Sequence, residues 1–248
     1  MITYNGNDLS NLITVQDVKR PLLAPQKLST VSIEGRDGSF YYQKVSESVT
    51  IEIELSIKAE SPTDLRSKVR ELAELIDADE PKPLIVADEP DKYINAIIAD
   101  ESQLETIYRV GQGVITMFAP DPYWYAVEDD IFEYTTTGIK NFTRKGNTIS
   151  YPTIEIIGTS NASGSFTVVT DNASLKYTGE LKQGERLVLD SELLTAYIIQ
   201  TDGSNKSAIP NLDKLDFPVL VKGANSINVI PSGATLTSYK VTCNSRWK

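Results

Sequence analysis

Chemistry near neutral pH is carried most often by histidine, by reactive or metal-bound cysteine, and by paired carboxylates. This chain of 248 residues has no histidine and a single cysteine, Cys243. Without imidazole there is no Ser-His-Asp or Cys-His arrangement, no His-based metal site, and no general base of the commonest kind. A lone thiol closes no internal disulfide and builds no multi-cysteine zinc site. Carboxylates remain, and the densest run places Asp77, Asp79 and Glu80 ahead of Asp88, Glu89 and Asp91. Their oxygens are of the type that binds calcium, but EF-hand spacing is absent and Pro81, Pro83 and Pro90 divide the run into separate loops. The expectation is a solvated acidic rim. Asp and Glu are too numerous for a glycosidase pair to be picked out. Gly111-Gln112-Gly113 leads into a strand and reads as a hairpin turn, not a phosphate loop, and no G-x-S-x-G elbow is present. No catalytic residue, metal ligand or cofactor site is assigned, and no cofactor is expected.

Tyr123-Trp124-Tyr125 are three aromatics in a row. Strand alternation puts at most two of three consecutive side chains on one face, so this run is expected in packing or in an interface.

The elements that position these residues are mostly strands. From Val49 to Lys58, apolar Val49, Ile51, Ile53, Leu55 and Ile57 alternate with Thr50, Glu52, Glu54, Ser56 and Lys58, the period of a half-buried strand. Two further strands are expected at residues 30–34 and 39–45, around the turn Gly35-Arg36-Asp37-Gly38. One helix is expected over residues 63–76. Ser61 is suited to its N-cap and Pro62 to its first turn, and Leu65, Val69, Leu72 and Ile76 form one apolar stripe. Short strands follow at 84–86, 93–99, 106–110 and 113–119. Beyond residue 137 the chain shows many short strands, turn signals every eight to twelve residues and no helix, the pattern of an antiparallel sandwich or jelly roll. The domains are therefore expected at residues 1–137 and 138–248.

Charge divides along the same line. Residues 1–137 hold 25 Asp/Glu and 12 Lys/Arg, against 9 and 12 in residues 138–248. The overall net charge of −10 argues against a nucleic-acid binder, which needs basic groups to displace counterions from phosphate. No apolar run is long enough to span a bilayer, and the first residues lack a signal-peptide pattern, so synthesis in a cytoplasm and no membrane partner are expected.

A series of short patterns, in order, resembles the distal tail (Dit) proteins of siphophages that infect Gram-positive bacteria. It runs from Arg36-Asp37-Gly38 through the alternating strand and the helix to Pro83-Leu84-Ile85 and Pro90-Asp91-Lys92-Tyr93-Ile94-Asn95-Ala96. Gly113-Val114-Ile115-Thr116-Met117-Phe118, Asp121-Pro122-Tyr123 and Tyr151-Pro152-Thr153-Ile154-Glu155-Ile156 follow. Phe217-Pro218-Val219-Leu220, Gly223-Ala224-Asn225-Ser226-Ile227 and Arg246-Trp247 complete it. Each pattern alone is weak; their order and spacing span nearly the whole chain.

The resemblance implies a mainly β protein: an N-terminal β-sandwich with one α-helix that forms a ring, and a C-terminal galectin-like or jelly-roll β-sandwich. It implies a non-enzymatic virion protein at the tail tip, a homo-hexamer joining the major tail tube protein to the tail tip or tail-associated fibre protein. Outer domains in some relatives anchor receptor-binding proteins, and DNA transits the channel without specific binding. On this reading the acidic residues 77, 79, 80, 88, 89 and 91 line the channel or its rim, and subunits join through an edge strand such as Val49–Lys58 or through an extending hairpin. Two other classes compete. A glycan-binding module or adhesin would show clustered aromatics in a groove of the second domain, and a wall hydrolase would rest on carboxylates alone.

Overall fold

A computed structural model describes residues 1–99, 103–107 and 110–248. The chain is mainly β and divides into two compact units, Met1–Val127 with Lys248, and Glu128–Trp247.

The first unit contains strands β1 (Ile2–Tyr4), β2 (Asn7–Asp8), β3 (Thr14–Lys19), β4 (Gln26–Val31), β5 (Phe40–Ser46), β6 (Val49–Lys58), β7 (Lys82–Val86), β8 (Lys92–Ile98), β9 (Gln103–Ile107), β10 (Val110–Ala119) and β11 (Trp124–Ala126). Its one helix, α1 (Pro62–Ile76), lies between β6 and β7. The antiparallel order is β2-β1-β7-β8-β10-β6-β3, with β9 on β10 and β11 on β8. β8 pairs with β7 up to Ala96 and with β10 through Ile97 and Ile98, so it links two parts of the sheet around one core.

That core is built on the alternation of β6. Val49, Ile51, Ile53, Leu55 and Ile57 are buried, together with Leu65, Leu72 and Ile76 of α1 and Ile2, Tyr4, Leu84, Ile94 and Met117. The helix starts where its cap residues stand: Ser61 Oγ accepts the Asp64 N–H at 3.1 Å, and Asp64 Oδ2 accepts the Glu60 N–H at 2.9 Å. These bonds satisfy donors that the first turn leaves open. The helix ends at Asp77, whose backbone is extended, before the prolines at 81 and 83.

Two expectations change here. β6 is not an edge strand: β10 pairs with it from Val49 to Lys58 and β3 pairs along its other side. Gly111 and Gly113 lie inside β10, opposite Ile57 and Leu55, and not in a turn. Ladders on both edges of β10 hold these glycines extended, where local propensity alone favours a turn. The strand expected at 106–110 lies partly outside the described residues.

Between β3 and β6 the chain leaves the sheet. β4 and β5 pair only with each other, with Gln26 opposite Ser46 and Val31 opposite Phe40. This hairpin arm is exposed along its length, including Leu28, Val31, Phe40, Tyr41, Tyr42 and Val45.

The second unit contains β12 (Asp130–Tyr134), β13 (Lys140–Thr143), β14 (Thr153–Thr170), β15 (Ser174–Thr178), β16 (Arg186–Asp190), β17 (Thr195–Ile199), β18 (Asn205–Ser207), β19 (Ala224–Cys243) and β20 (Arg246–Trp247). Sequence reading divides the chain at 137/138, whereas the structure divides it at Val127/Glu128. The difference is β12, which pairs with the distant C-terminal half of β19 and turns Phe132 and Tyr134 onto the second core. The paired strands β14 and β19 each merge two shorter strands of the sequence reading and run through both layers of the sandwich. Their first and last parts join β12, β16, β17 and β18 in one layer; the remaining parts join β13 and β15 in the other.

The bends that allow this exchange need glycine. A Cβ on Gly158 would stand 2.3 Å from the Thr235 carbonyl oxygen, and one on Gly164 would stand 2.6 Å from that of Gly233. Gly158→Ala is expected to cost about 1–3 kcal/mol, since the opposing backbone must move, and the loss is read as a lower midpoint in thermal or urea unfolding.

Tyr239, buried on β19 beside Tyr134 at 5.2 Å between ring centroids, has no hydrogen-bond partner for its hydroxyl. Burial, then the neighbouring Tyr134, push its phenol up to about 12. An unfolded tyrosine ionises near about pH 10, so from there to about 12 the unfolded state loses a proton that the native state keeps. Stability contributed below that window is lost as pH rises through it. Tyr239→Phe is expected to match or exceed the parent in urea stability at neutral pH and to lose less of it in alkaline buffer.

Candidate functional site

The two groups of residues singled out in the sequence both lie in the first unit. The acidic run does not form one cluster. Asp77, Asp79 and Glu80 are exposed between the end of α1 and β7, whereas Asp88, Glu89 and Asp91 occupy the β7–β8 connection. The five residues of β7 separate these triplets by about 16 Å at the rise of an extended strand.

The second triplet is largely ion-paired. Arg20, the residue after β3, bonds Asp88 through Nη2 and stands 3.2 Å from Glu89 through Nη1. Lys92 Nζ lies 2.9 Å from Glu89 and 3.4 Å from Asp91. Burial lowers the Lys92 pKa, but its hydrogen bonds and charge contacts with Glu89 and Asp91 outweigh that and hold its ammonium above the ordinary lysine range. In the first triplet, Glu80 pairs with Lys82 at 3.4 Å, while Asp77 and Asp79 have no ion pair among the described residues. Five of the six carboxylate residues are exposed and Glu89 is half-buried, and Arg20, Lys82 and Lys92 answer half of their charge locally.

The aromatic run joins the same neighbourhood. Tyr123, Trp124 and Tyr125 are each half-buried. Trp124 packs against the first core, and the Arg20 guanidinium carbon stands 5.1 Å from its ring centroid. Tyr125 stacks on Tyr93 at 5.6 Å and donates its hydroxyl proton to Asp121, whose other oxygen accepts the Tyr123 N–H at 3.3 Å. Arg20 therefore ties the acidic turn to the aromatic strand β11. Sequence reasoning passed over it because nothing near Arg20 in the chain signals a partner; its partners arrive from β7–β8 and β11.

The arm carries several exposed apolar residues. Leu22, in the segment leading to it, is 95% exposed, and Tyr41 and Tyr42, at an irregularity of the β4–β5 pairing, are 63% and 75% exposed. A two-stranded hairpin is marginal alone, and apolar faces of this extent mark an interaction surface. The sequence carried the signal in consecutive apolar residues on both faces of a short hairpin. Exposure itself was hidden because such residues belong to a core in most chains.

Other features lack the marks of a reaction site. A cleft of about 450 Å³ between α1 and the sheet is lined mainly by Leu55, Ile57, Val69, Leu72, Ile98 and Ile115, with Glu74 and Asp77 as its charged lining residues. It has no set of convergent polar groups of the kind a substrate needs. In the second unit Phe142, Phe166, Tyr177, Phe217 and Tyr239 are buried, Tyr197 and Trp247 are half-buried, and Tyr151 is exposed with the Arg246 guanidinium carbon 4.9 Å from its ring centroid. Buried polar groups there serve packing: Arg144 donates from Nε to the Val221 carbonyl at 2.9 Å, and Ser245 donates to Asp130 at 2.7 Å. Burial, more than any neighbouring charge, lowers the Arg144 pKa.

Among the described residues no group of three or more His, Cys, Asp or Glu is placed to hold a metal ion. Melting curves recorded in millimolar calcium and in chelator are therefore expected to superimpose. A calcium-dependent rise in the midpoint, saturating with concentration, would restore the acidic run as a cation site.

Comparison with known proteins agrees with this description. Residues 7–119 match the model of the phage tail protein RIFT-related domain. No curated protein sequence matches the chain. Among solved structures, the Dit protein of phage SPP1, described as a paradigm of the hub of the adsorption apparatus in Gram-positive-infecting phages, aligns with a TM-score of 0.82. The identity is 17%, and the alignment covers 100% of this chain and 98% of that one. Two structures of the phage p2 baseplate in its activated conformation, with Sr and with Ca, align at 12% identity over 95% of this chain and 92% of theirs, with TM-scores of 0.48 and 0.49. Over residues 7–119 the chain is thus similar to the phage tail protein RIFT-related domain, and the whole chain has the fold of the SPP1 Dit protein.

Proposed function

We propose that this protein is a non-enzymatic hub of a siphophage tail whose first unit assembles into a homo-hexameric ring through the β4–β5 arm. The observation that carries the proposal is the arm itself: a hairpin that pairs with no other strand and exposes Leu28, Val31, Phe40, Tyr41, Tyr42 and Val45. Covering it from another subunit removes that apolar surface from water. The contact is heterologous, arm of one subunit to body of the next, and such contacts close into rings when the rotation fits. Strand addition through β6, the other route considered, is disfavoured because β10 fills one edge from Val49 to Lys58 and β3 fills the other from Glu52 to Ser56.

Charge supports the same arrangement. Residues 20–48 hold 4 Lys/Arg and 3 Asp/Glu, whereas the rest of residues 1–127 holds 8 and 18. A near-neutral arm lies on an acidic neighbour without like-charge repulsion. The proposal further takes six-fold closure, the tail tube protein on one face and the tail tip or fibre protein on the other, a place for receptor-binding proteins on the outer sandwich and a location at the virion tail tip, and the likeness in fold to a distal tail protein supports it. In such a ring the acidic body, with Asp77 and Asp79 as its least neutralised rim residues, keeps passing DNA from adhering.

Light scattering across a concentration series tests the ring. The parent is expected to reach a hexamer mass, and a variant with Leu28, Tyr41 and Tyr42 changed to Ser is expected to remain a monomer with an unchanged far-ultraviolet spectrum. A parent that stays monomeric at every concentration, or a triple variant that assembles like the parent, would sink the proposal.

A further inference from the structure

The arm leaves the sheet across a joint without ladder hydrogen bonds. β3 and β6 are paired as far as Lys19 opposite Glu52, and the next rung up is Gln26 opposite Ser46. On one leg only residues 47 and 48 separate β5 from β6, which is held by β10 from Val49 onward. The other leg, residues 20–25, is longer; Leu22 and Leu23 are exposed, Ala24 rests against the first core, and Pro21 and Pro25 stiffen it. The bottom of the arm is closed by the Glu47 N–H bonding the Pro25 carbonyl at 2.8 Å and by the Gln26 and Ser46 side chains. What directs the arm away from the body is therefore decided at the start of the longer leg.

Arg20 stands at that point. It meets Asp88 and Glu89 and lies over the Trp124 ring. The turn it grips is itself rigid: Glu89 N–H bonds the Val86 carbonyl at 3.1 Å, Lys92 N–H the Glu89 carbonyl at 3.1 Å, and Val127 N–H the Asp91 carbonyl at 2.9 Å. A guanidinium can hold two carboxylates and an aromatic face at once because it is a flat fork of donors with a weakly hydrated surface.

We infer that Arg20 is a positioning residue for assembly, clamping the longer leg of the arm to the β7–β8 turn and β11 so that the free subunit presents the arm in one direction. The inference rests on the ring reading for its purpose, but not for its geometry. Partly exposed ion pairs contribute little to global stability, so the clamp matters for orientation more than for folding. An arm already aimed loses less freedom on docking, which favours association.

The experiment places spin labels at Asp37→Cys on the arm tip and Arg66→Cys on α1 and measures the distance between them by pulsed electron resonance in the full chain. The native Cys243 is buried and so resists labelling. Labelled chains are diluted into excess unlabelled protein so that only distances within one subunit are read. With Arg20 present the distribution is expected to be narrow; in Arg20→Met it broadens about twofold, as for a segment released from local contacts. Salt near about 1 M, which shortens the Debye length to about 3 Å, is expected to weaken the contact and broaden the parent part of the way while leaving Arg20→Met unchanged. Arg20→Lys restores part of the narrowing. The melting midpoint stays within a few degrees throughout, which separates a clamp from a folding defect.

Equal widths in parent and Arg20→Met overturn the clamp, whatever the oligomeric state. A broadened Arg20→Met in a parent that never assembles overturns the ring reading and leaves the clamp standing. A melting midpoint that falls steeply with Arg20→Met would make Arg20 an ordinary fold residue and also overturn the inference.

Discussion

The pairing of β6 with β10 on one edge and β3 on the other is the constraint on which the first unit depends. One face of β6 supplies five buried apolar side chains to the core, and α1 follows directly from its end and returns Leu65, Leu72 and Ile76 to the same core. β10 fills one edge along the whole strand, and β3 fills the middle of the other, from Glu52 to Ser56. The chain continues the β3–β6 pairing outward, past a joint, into an arm that its own subunit leaves uncovered. Two successive stretches of one long hairpin thus differ: in the lower one β6 turns its apolar face into the core, and the upper one is exposed on both strands.

The second unit solves a different problem with a related device. Two long strands, β14 and β19, serve both layers of a sandwich, so the layers share a covalent and hydrogen-bonded frame. The cost of the crossing falls on a few backbone positions where another carbonyl approaches too closely for any side chain, Gly158 and Gly164 among them. Deep polar groups near the end of the unit, Arg144, Asp130 and Ser245, find partners in backbone carbonyls and in one another. Such a buried network is tolerable only when its members are satisfied, and it has no exposed position from which to act on a substrate.

Charge and apolar exposure are sorted within the first unit. The acidic surplus lies on the body, and the arm is close to neutral and apolar. Part of the acidic surface is drawn into the Arg20 and Lys92 contacts, which hold the β7–β8 turn, the aromatic strand β11 and the root of the arm as one neighbourhood. The acidic run and the aromatic run, separate as sequence features, are thereby parts of one support.

The sequence by itself determined the strand at Val49–Lys58, the capped helix after it and the lack of histidine chemistry, since each is written within a few residues as a period, a cap or an absence. It also displayed, as an ordered series of short patterns, the resemblance to distal tail proteins. Only the tertiary structure decided that β6 lies inside the sheet, that Gly111 and Gly113 are strand residues, and that β12 belongs with β19. It alone separated the acidic run into two triplets and brought Arg20 to one of them. The physical reason is common to all of these. Strand pairing and charge pairing join residues that are far apart in the chain, and alternation shows which face a residue takes without showing what lies beside it.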